Sequence, residues 1–207
     1  MNIEELKQHA AGGDAEAQFE LGICYLNGED IKLDEEAAVL WFKKSAEQGY
    51  AEAQSALGEC YCFGDGVEQN FEEAVKWLRL AAKQGNVIAQ FNLGTNYWSG
   101  LGVEQNDEEA VKWWRLAAEQ GFADAQYYLG CAYANGDGVE QNFEEAVKWW
   151  RLAAEQGCAE AQLYLGCAYA NGDGVEKNYE EAVKWYRLAA ERGDEDAKEA
   201  LKRLQNE

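Results

Sequence analysis

The nine residues AYANGDGVE stand at 132–140 and again, letter for letter, at 168–176. Glycines and acids in a short loop can cradle a phosphate, ring a calcium ion or make a turn, and the three readings lead to different proteins. Recurrence decides between them. Gly13, Gly49, Gly85, Gly121, Gly157 and Gly193 keep a thirty-six-residue step, and the loop lies once inside each step. Leu21, Leu57, Leu93, Leu129 and Leu165 keep the same step, as do Tyr25, Tyr61, Tyr97, Tyr133 and Tyr169, and Trp41, Trp77, Trp113, Trp149 and Trp185. A loop returning at a fixed period belongs to the architecture.

Neither chemical reading of the loop survives its residues. A phosphate loop needs a lysine after its glycines and a strand before them, and both are missing. Asn135, Asp137, Gly138 and Glu144 fall at positions three, five, six and twelve of a helix–loop–helix calcium site, but Tyr133 holds position one and Phe63 holds position three in the second repeat. The glycines are there for backbone angles that other residues avoid.

Each period carries two apolar-periodic segments, such as DAQYYLGCAYAN (124–135) and FEEAVKWWRLAAEQG (143–157), rich in helix formers and free of proline. Both read as helices, with Gly121 or Gly157 placed where a helix C-terminus turns left-handed. On the second helix Glu144, Lys148, Arg151 and Glu155 share one narrow stripe, with Glu144 and Lys148 at a favourable i,i+4 spacing, and this stripe reads as a solvated outer face. Nearly everything else on that helix is apolar, so it must touch neighbours on several sides, as stacking in a solenoid provides.

The pattern A-x-A-Q-x-x-L-G-x-x-Y-x-x-G-x-G-V followed by A-V-x-W-x-x-x-A-A-x-x-G resembles the Sel1-like repeat, a relative of the tetratricopeptide repeat. The resemblance implies an all-α fold, a right-handed α-solenoid of stacked helix-turn-helix repeats, and a role as adaptor or scaffold. The organisation expected is an N-terminal capping helix at 1–12, repeats at 13–48, 49–84, 85–120, 121–156 and 157–193, and a capping helix at 194–207 that closes the array. The first repeat departs from the pattern, with Gly28-Glu29-Asp30-Ile31 in place of Gly-x-Gly-Val.

Composition narrows the partners. The net charge of −21 over 207 residues repels phosphate backbones and anionic head groups, so neither nucleic acid nor a membrane is expected. The N-terminus carries no basic segment followed by an apolar run, which leads to an expectation of a cytoplasmic protein with reduced thiols. Cys131 and Cys167, like Cys24 and Cys60, hold equivalent positions of successive repeats, where helices lie about 8–10 Å apart and a disulfide does not reach. Cys60 and Cys62 diverge on one helix, and no His or Cys cluster completes a zinc site. Cysteine-rich members of the resembling family pair cysteines within each repeat, a pattern this chain lacks. His9 is the single histidine and falls in the N-terminal cap. No nucleophile stands beside a base, so no catalytic residue, cofactor or metal is assigned.

The repeats serve as controls for one another. In the first helix Ala125, Gln126, Leu129, Gly130 and Tyr133 recur in every repeat, whereas positions 124, 127, 128, 131, 134 and 135 vary and form one arc opposite. Over repeats three to five that arc carries Phe91, Asn92, Trp98, Tyr127, Tyr128, Asn135, Leu163, Tyr164 and Asn171, side chains of the kind that anchor partners. By resemblance to tetratricopeptide arrays the first helices line the concave surface. The expectation is a monomeric adaptor whose groove holds a peptide or helix of a protein partner with basic residues, steered by Glu16, Glu20, Glu52 and Glu59. Open beside it stand a small-molecule binder or hydrolase of the β-lactam-binding kind, a passive spacer, and an exported host-interacting factor.

Overall fold

The computed structural model describes residues 2–204, which contain twelve α-helices and no strand. They form two compact units that divide between Asn106 and Asp107. The first unit holds α1 (Ile3–Ala11), α2 (Ala15–Asn27), α3 (Glu35–Glu47), α4 (Ala51–Phe63), α5 (Phe71–Lys83) and α6 (Val87–Ser99). The second holds α7 (Asp107–Glu119), α8 (Ala123–Asn135), α9 (Phe143–Glu155), α10 (Ala159–Asn171), α11 (Tyr179–Glu191) and α12 (Glu195–Leu204). Within each unit every helix packs on the next in sequence, the α-solenoid arrangement of 36-residue helix-turn-helix repeats. Met1 of the expected N-terminal cap and residues 205–207 of the expected C-terminal cap lie outside the described residues. None of the described helices is long and apolar enough to cross a membrane.

The periodic residues explain the stacking one by one. Asp34, Asn70, Asn142 and Asn178 start second helices, their side-chain oxygens accepting from backbone N–H groups of the first turn. The fixed glycine inside each first helix makes room for a large side chain of the second. A Cβ on Gly58 would lie 2.7 Å from Leu78, and one on Gly130 or Gly166 would lie 2.5 or 2.6 Å from the rings of Trp150 or Tyr186. Such a glycine gives up about 1 kcal/mol of helix propensity, which the close packing of these buried side chains offsets.

The paired glycines of the opening motif have separate duties. Gly136 ends α8 in the left-handed region at φ 82°. Gly138 presses on the start of the preceding second helix, where a Cβ would meet the Asp107 carbonyl at 2.3 Å. In the first repeat Asp30 takes the second glycine's place at φ 57°, and the turn forms without it.

Buried glutamines tie the repeats together. Gln18, Gln54, Gln126 and Gln162 each donate from Nε2 to the carbonyl of Ala10, Ala46, Ala118 or Ala154 at 3.0–3.1 Å. Gln48, Gln84 and Gln156 in turn donate to Oε1 of Gln18, Gln54 and Gln126 at 2.8 Å. Arg192 stands where the next such donor would be, and Gln162 Oε1 is buried without a partner.

The outer stripe differs from its sequence reading in two respects. Lys148 pairs with Glu145 at 2.5 Å, one residue nearer than Glu144; both spacings lie on one helix face. Arg151 is engaged, not merely solvated: its Nη2 donates to the Tyr169 hydroxyl at 2.6 Å, as Arg79 and Arg115 do to Tyr97 and Tyr133. The recurring tyrosine of each following repeat brings its hydroxyl within the arginine's reach.

Candidate functional site

In the second unit the variable arc carries a run of five aromatic rings. Trp114 on α7 and Trp150 on α9 are buried, Trp150 against Gly130 of α8 and the alanines of its core. Tyr128 lies on Trp114 with ring centroids 5.2 Å apart, and Tyr164 lies on Trp150 at 5.2 Å. Tyr127 links the two, 5.3 Å from Tyr128 and 5.8 Å from Tyr164, both edge-on. Such offset and edge contacts are the preferred geometries for aromatic pairs. Tyr164 remains 42% exposed, so the run is anchored in the core and opens at one ring.

Tyr164 also lines two cavities. One, of 640 Å³, lies between α10, α11 and α12 and is walled by Leu163, Asn171, Tyr179, Tyr186 and Arg203 among others. The other, of 490 Å³, is bounded by Asn135, Phe143, Trp150 and Cys167. The predicted residues Tyr127, Tyr128, Asn135, Leu163, Tyr164 and Asn171 are therefore brought to one region of this unit. They are not uniformly exposed, contrary to the reading of the arc as one open face. Tyr127, Tyr128 and Leu163 are half-buried because the neighbouring helices cover part of each ring or side chain. Asn135 and Asn171 lie at helix ends and donate to Asp137 and Asp173 at 3.1 Å, which commits them to their own turns.

In the first unit the corresponding face mixes aromatic and polar side chains: Phe19 on α2 lies 5.8 Å from the buried Phe42 and 5.5 Å from Tyr50. Phe91 and Asn92 are half-buried on α6, and Trp98 is 45% exposed at its end. Asn92 Nδ2 donates to Glu59 Oε1 on α4 at 2.9 Å. One turn further along the same two helices Asn96 Nδ2 approaches Cys62 Sγ at 4.0 Å. Burial raises the Glu59 carboxyl above the usual carboxylate range, and the Asn92 hydrogen bond offsets part of that rise. Glu16, Glu20 and Glu52 are exposed.

Burial disfavours the thiolate form of several of the cysteines. All six cysteines are free. Burial pushes Cys60 up to about 12 and Cys158 up to about 11, and raises Cys131 as well, so the reactive thiolate is scarce. The Tyr127 and Tyr186 hydroxyls are likewise raised, first by burial and then by their neighbours Cys131 and Cys167. Among the described residues no group of His, Cys, Asp and Glu side chains could hold a metal ion.

Sequence reasoning missed the buried tryptophans under the tyrosines. Position 150 varies as Phe42, Leu78, Trp114, Trp150 and Tyr186, and that column was the available signal.

The model of the Sel1 repeat matches residues 15–50, 51–86, 87–122, 123–158 and 159–194. The crystal structure of c5321, a protective antigen present in uropathogenic Escherichia coli strains and displaying an SLR fold, is 44% identical with a TM-score of 0.94. That match covers 97% of this chain but 43% of the other, so the chain spans less than half of that relative's length. A Sel1 repeat protein from Oxalobacter formigenes is 36% identical over 96% of this chain and 82% of its own, with a TM-score of 0.88. The secretory immunoglobulin A-binding protein EsiB of Escherichia coli O6:H1 is 45% identical over 45 residues, which are 22% of this chain and 9% of that protein.

Proposed function

The chain belongs to the Sel1 repeat family, whose members generally act in protein–protein interaction, and from that premise we propose that it is an adaptor whose first helices hold a peptide or helix of a partner protein. The observation that carries this reading is the run of Tyr128, Tyr127 and Tyr164, at positions that repeat stacking leaves free to vary, resting on the buried Trp114 and Trp150. An aromatic fixed from beneath and exposed at its edge anchors a partner at little entropic cost, and aromatic anchors dominate interface energetics. The cavities on either side of Tyr164 give an incoming side chain somewhere to go. Raised thiols and the lack of a nucleophile–base pair favour binding over catalysis. EsiB is named for binding a protein, which supports a protein partner in kind without identifying it.

The test uses random peptides displayed on phage and selected on the full chain. Tyr164→Glu places a charge on the open ring position while Trp150 stays beneath, and binding of the selected peptides should weaken by about 2 kcal/mol or more. Lys148→Ala is the control, since an exposed ion pair is worth about 0–1 kcal/mol. Equal loss in both variants, or loss only in the control, overturns the assignment of faces.

A further inference from the structure

Resting on the adaptor reading, we infer that Glu59 and Asn92 form a receptor for an arginine side chain of the partner. The residues at the register of Glu59 in the other repeats are Ile23, Thr95, Cys131 and Cys167, all uncharged. Stacking therefore asks for no carboxylate here. Glu59 is nonetheless drawn into the α4–α6 packing, half-buried, with an amide as its hydrogen-bond partner and no cation opposite. The ion pairs of Lys7, Lys76, Lys112, Lys148, Lys184, Lys198 and Arg203 are instead each made three or four positions along an exposed helix face. The groups beside Glu59 on its own helix are the thiols of Cys60 and Cys62, held neutral by burial. Those facing it from α6 are Asn92 and, a turn on, Asn96.

A desolvated carboxylate without a counter-charge destabilises the fold that carries it, and such a group is retained where a ligand completes it. Asn92 bonds one carboxylate oxygen and fixes the plane, leaving the other oxygen for the ligand. Asn92 is itself specific to its repeat, for the same register holds Glu20, Ala56, Tyr128 and Tyr164 elsewhere. Guanidinium suits the place better than ammonium. It is less strongly hydrated and presents parallel N–H groups to a carboxylate. The charge of −21 gathers a basic segment before contact.

The same phage selection, repeated on Glu59→Gln, tests the inference. Peptides selected on the unaltered chain should share an arginine at one position. Replacing that arginine by alanine, or Glu59 by Gln, should each weaken binding about tenfold or more, and the two changes together should cost no more than either alone. Selected peptides that bind Glu59→Gln as well as the parent overturn the receptor while leaving the adaptor reading intact. Lysine substituting fully for arginine overturns the guanidinium assignment. A selection that yields no peptide at all overturns the adaptor reading, and the receptor with it. Circular dichroism of each variant confirms that the helices are retained.

Discussion

The two units share one set of stacking residues and differ on the variable face at the registers of Tyr128 and Tyr164. In the second, Tyr128 rests on Trp114 and Tyr164 on Trp150; at the same registers the first unit has Ala56 and Asn92, paired with Phe42 and Leu78. All four inner residues are buried. What a repeat displays therefore depends on what its neighbour places underneath. A broad indole supports a tyrosine ring, whereas Leu78 leaves a register occupied by a short amide, which then bonds Glu59. Stacking and display are coupled through one column, and either can be changed by a few substitutions without touching the fixed residues.

The strongest way to break this contrast is Trp150→Ala. It removes a buried indole and the platform beneath Tyr164, and the loss in urea unfolding should be about 3–5 kcal/mol. Leu78→Ala in the first unit should lose about 2–5 kcal/mol by the same mechanism but leave aromatic-dependent peptide binding largely intact. Equal binding loss in both variants would show that the aromatic run is not a separate anchor.

The fold was legible because its signals are redundant: five copies of Leu129, Gly130, Tyr133 and Trp149 in register leave little room for another architecture. The site was half legible. Comparing repeats located the variable residues, since a position released from stacking shows its freedom by varying. It did not reveal that Tyr128 and Tyr164 lie on buried tryptophans, because a helical wheel treats each helix alone and the inner column belongs to the neighbouring helix. Arg151 was misread for the same reason, its partner Tyr169 being eighteen residues away on another helix.

A smaller effect separates the loops. Gly138→Ala forces a Cβ onto the Asp107 carbonyl from a left-handed backbone, so unfolding free energy should fall by about 2 kcal/mol or more, the left-handed strain alone contributing about 1–2. Asp30→Gly, at the corresponding place of the first repeat, should be close to neutral or slightly stabilising, because the residue already sits at φ 57°. Thermal unfolding of both variants measures the difference. Equal destabilisation would mean that the second glycine serves conformation alone and not the approach of the helix beneath it.

The smallest expected effect bears on the Glu59–Asn92 pair of the first unit. Burial raises the Glu59 carboxyl, so between its unfolded and its folded pKa the native chain binds more protons than the unfolded one. Stability from this group is accordingly present in full below the unfolded value and is lost as pH rises through the folded one. Glu59→Gln carries no such dependence. The variant should therefore melt slightly above the parent at neutral pH, and the gap should close as pH falls below the usual glutamate range near 4.3. Taking the difference between the two chains cancels the carboxylates they share, which dominate the acid behaviour of a protein with 39 Asp and Glu residues. A variant that melts below the parent at neutral pH would make Glu59 a stabilising part of the α4–α6 contact, and the contrast between the Glu59–Asn92 pair held ready for a ligand and the tyrosines built on Trp114 and Trp150 would lose its first half.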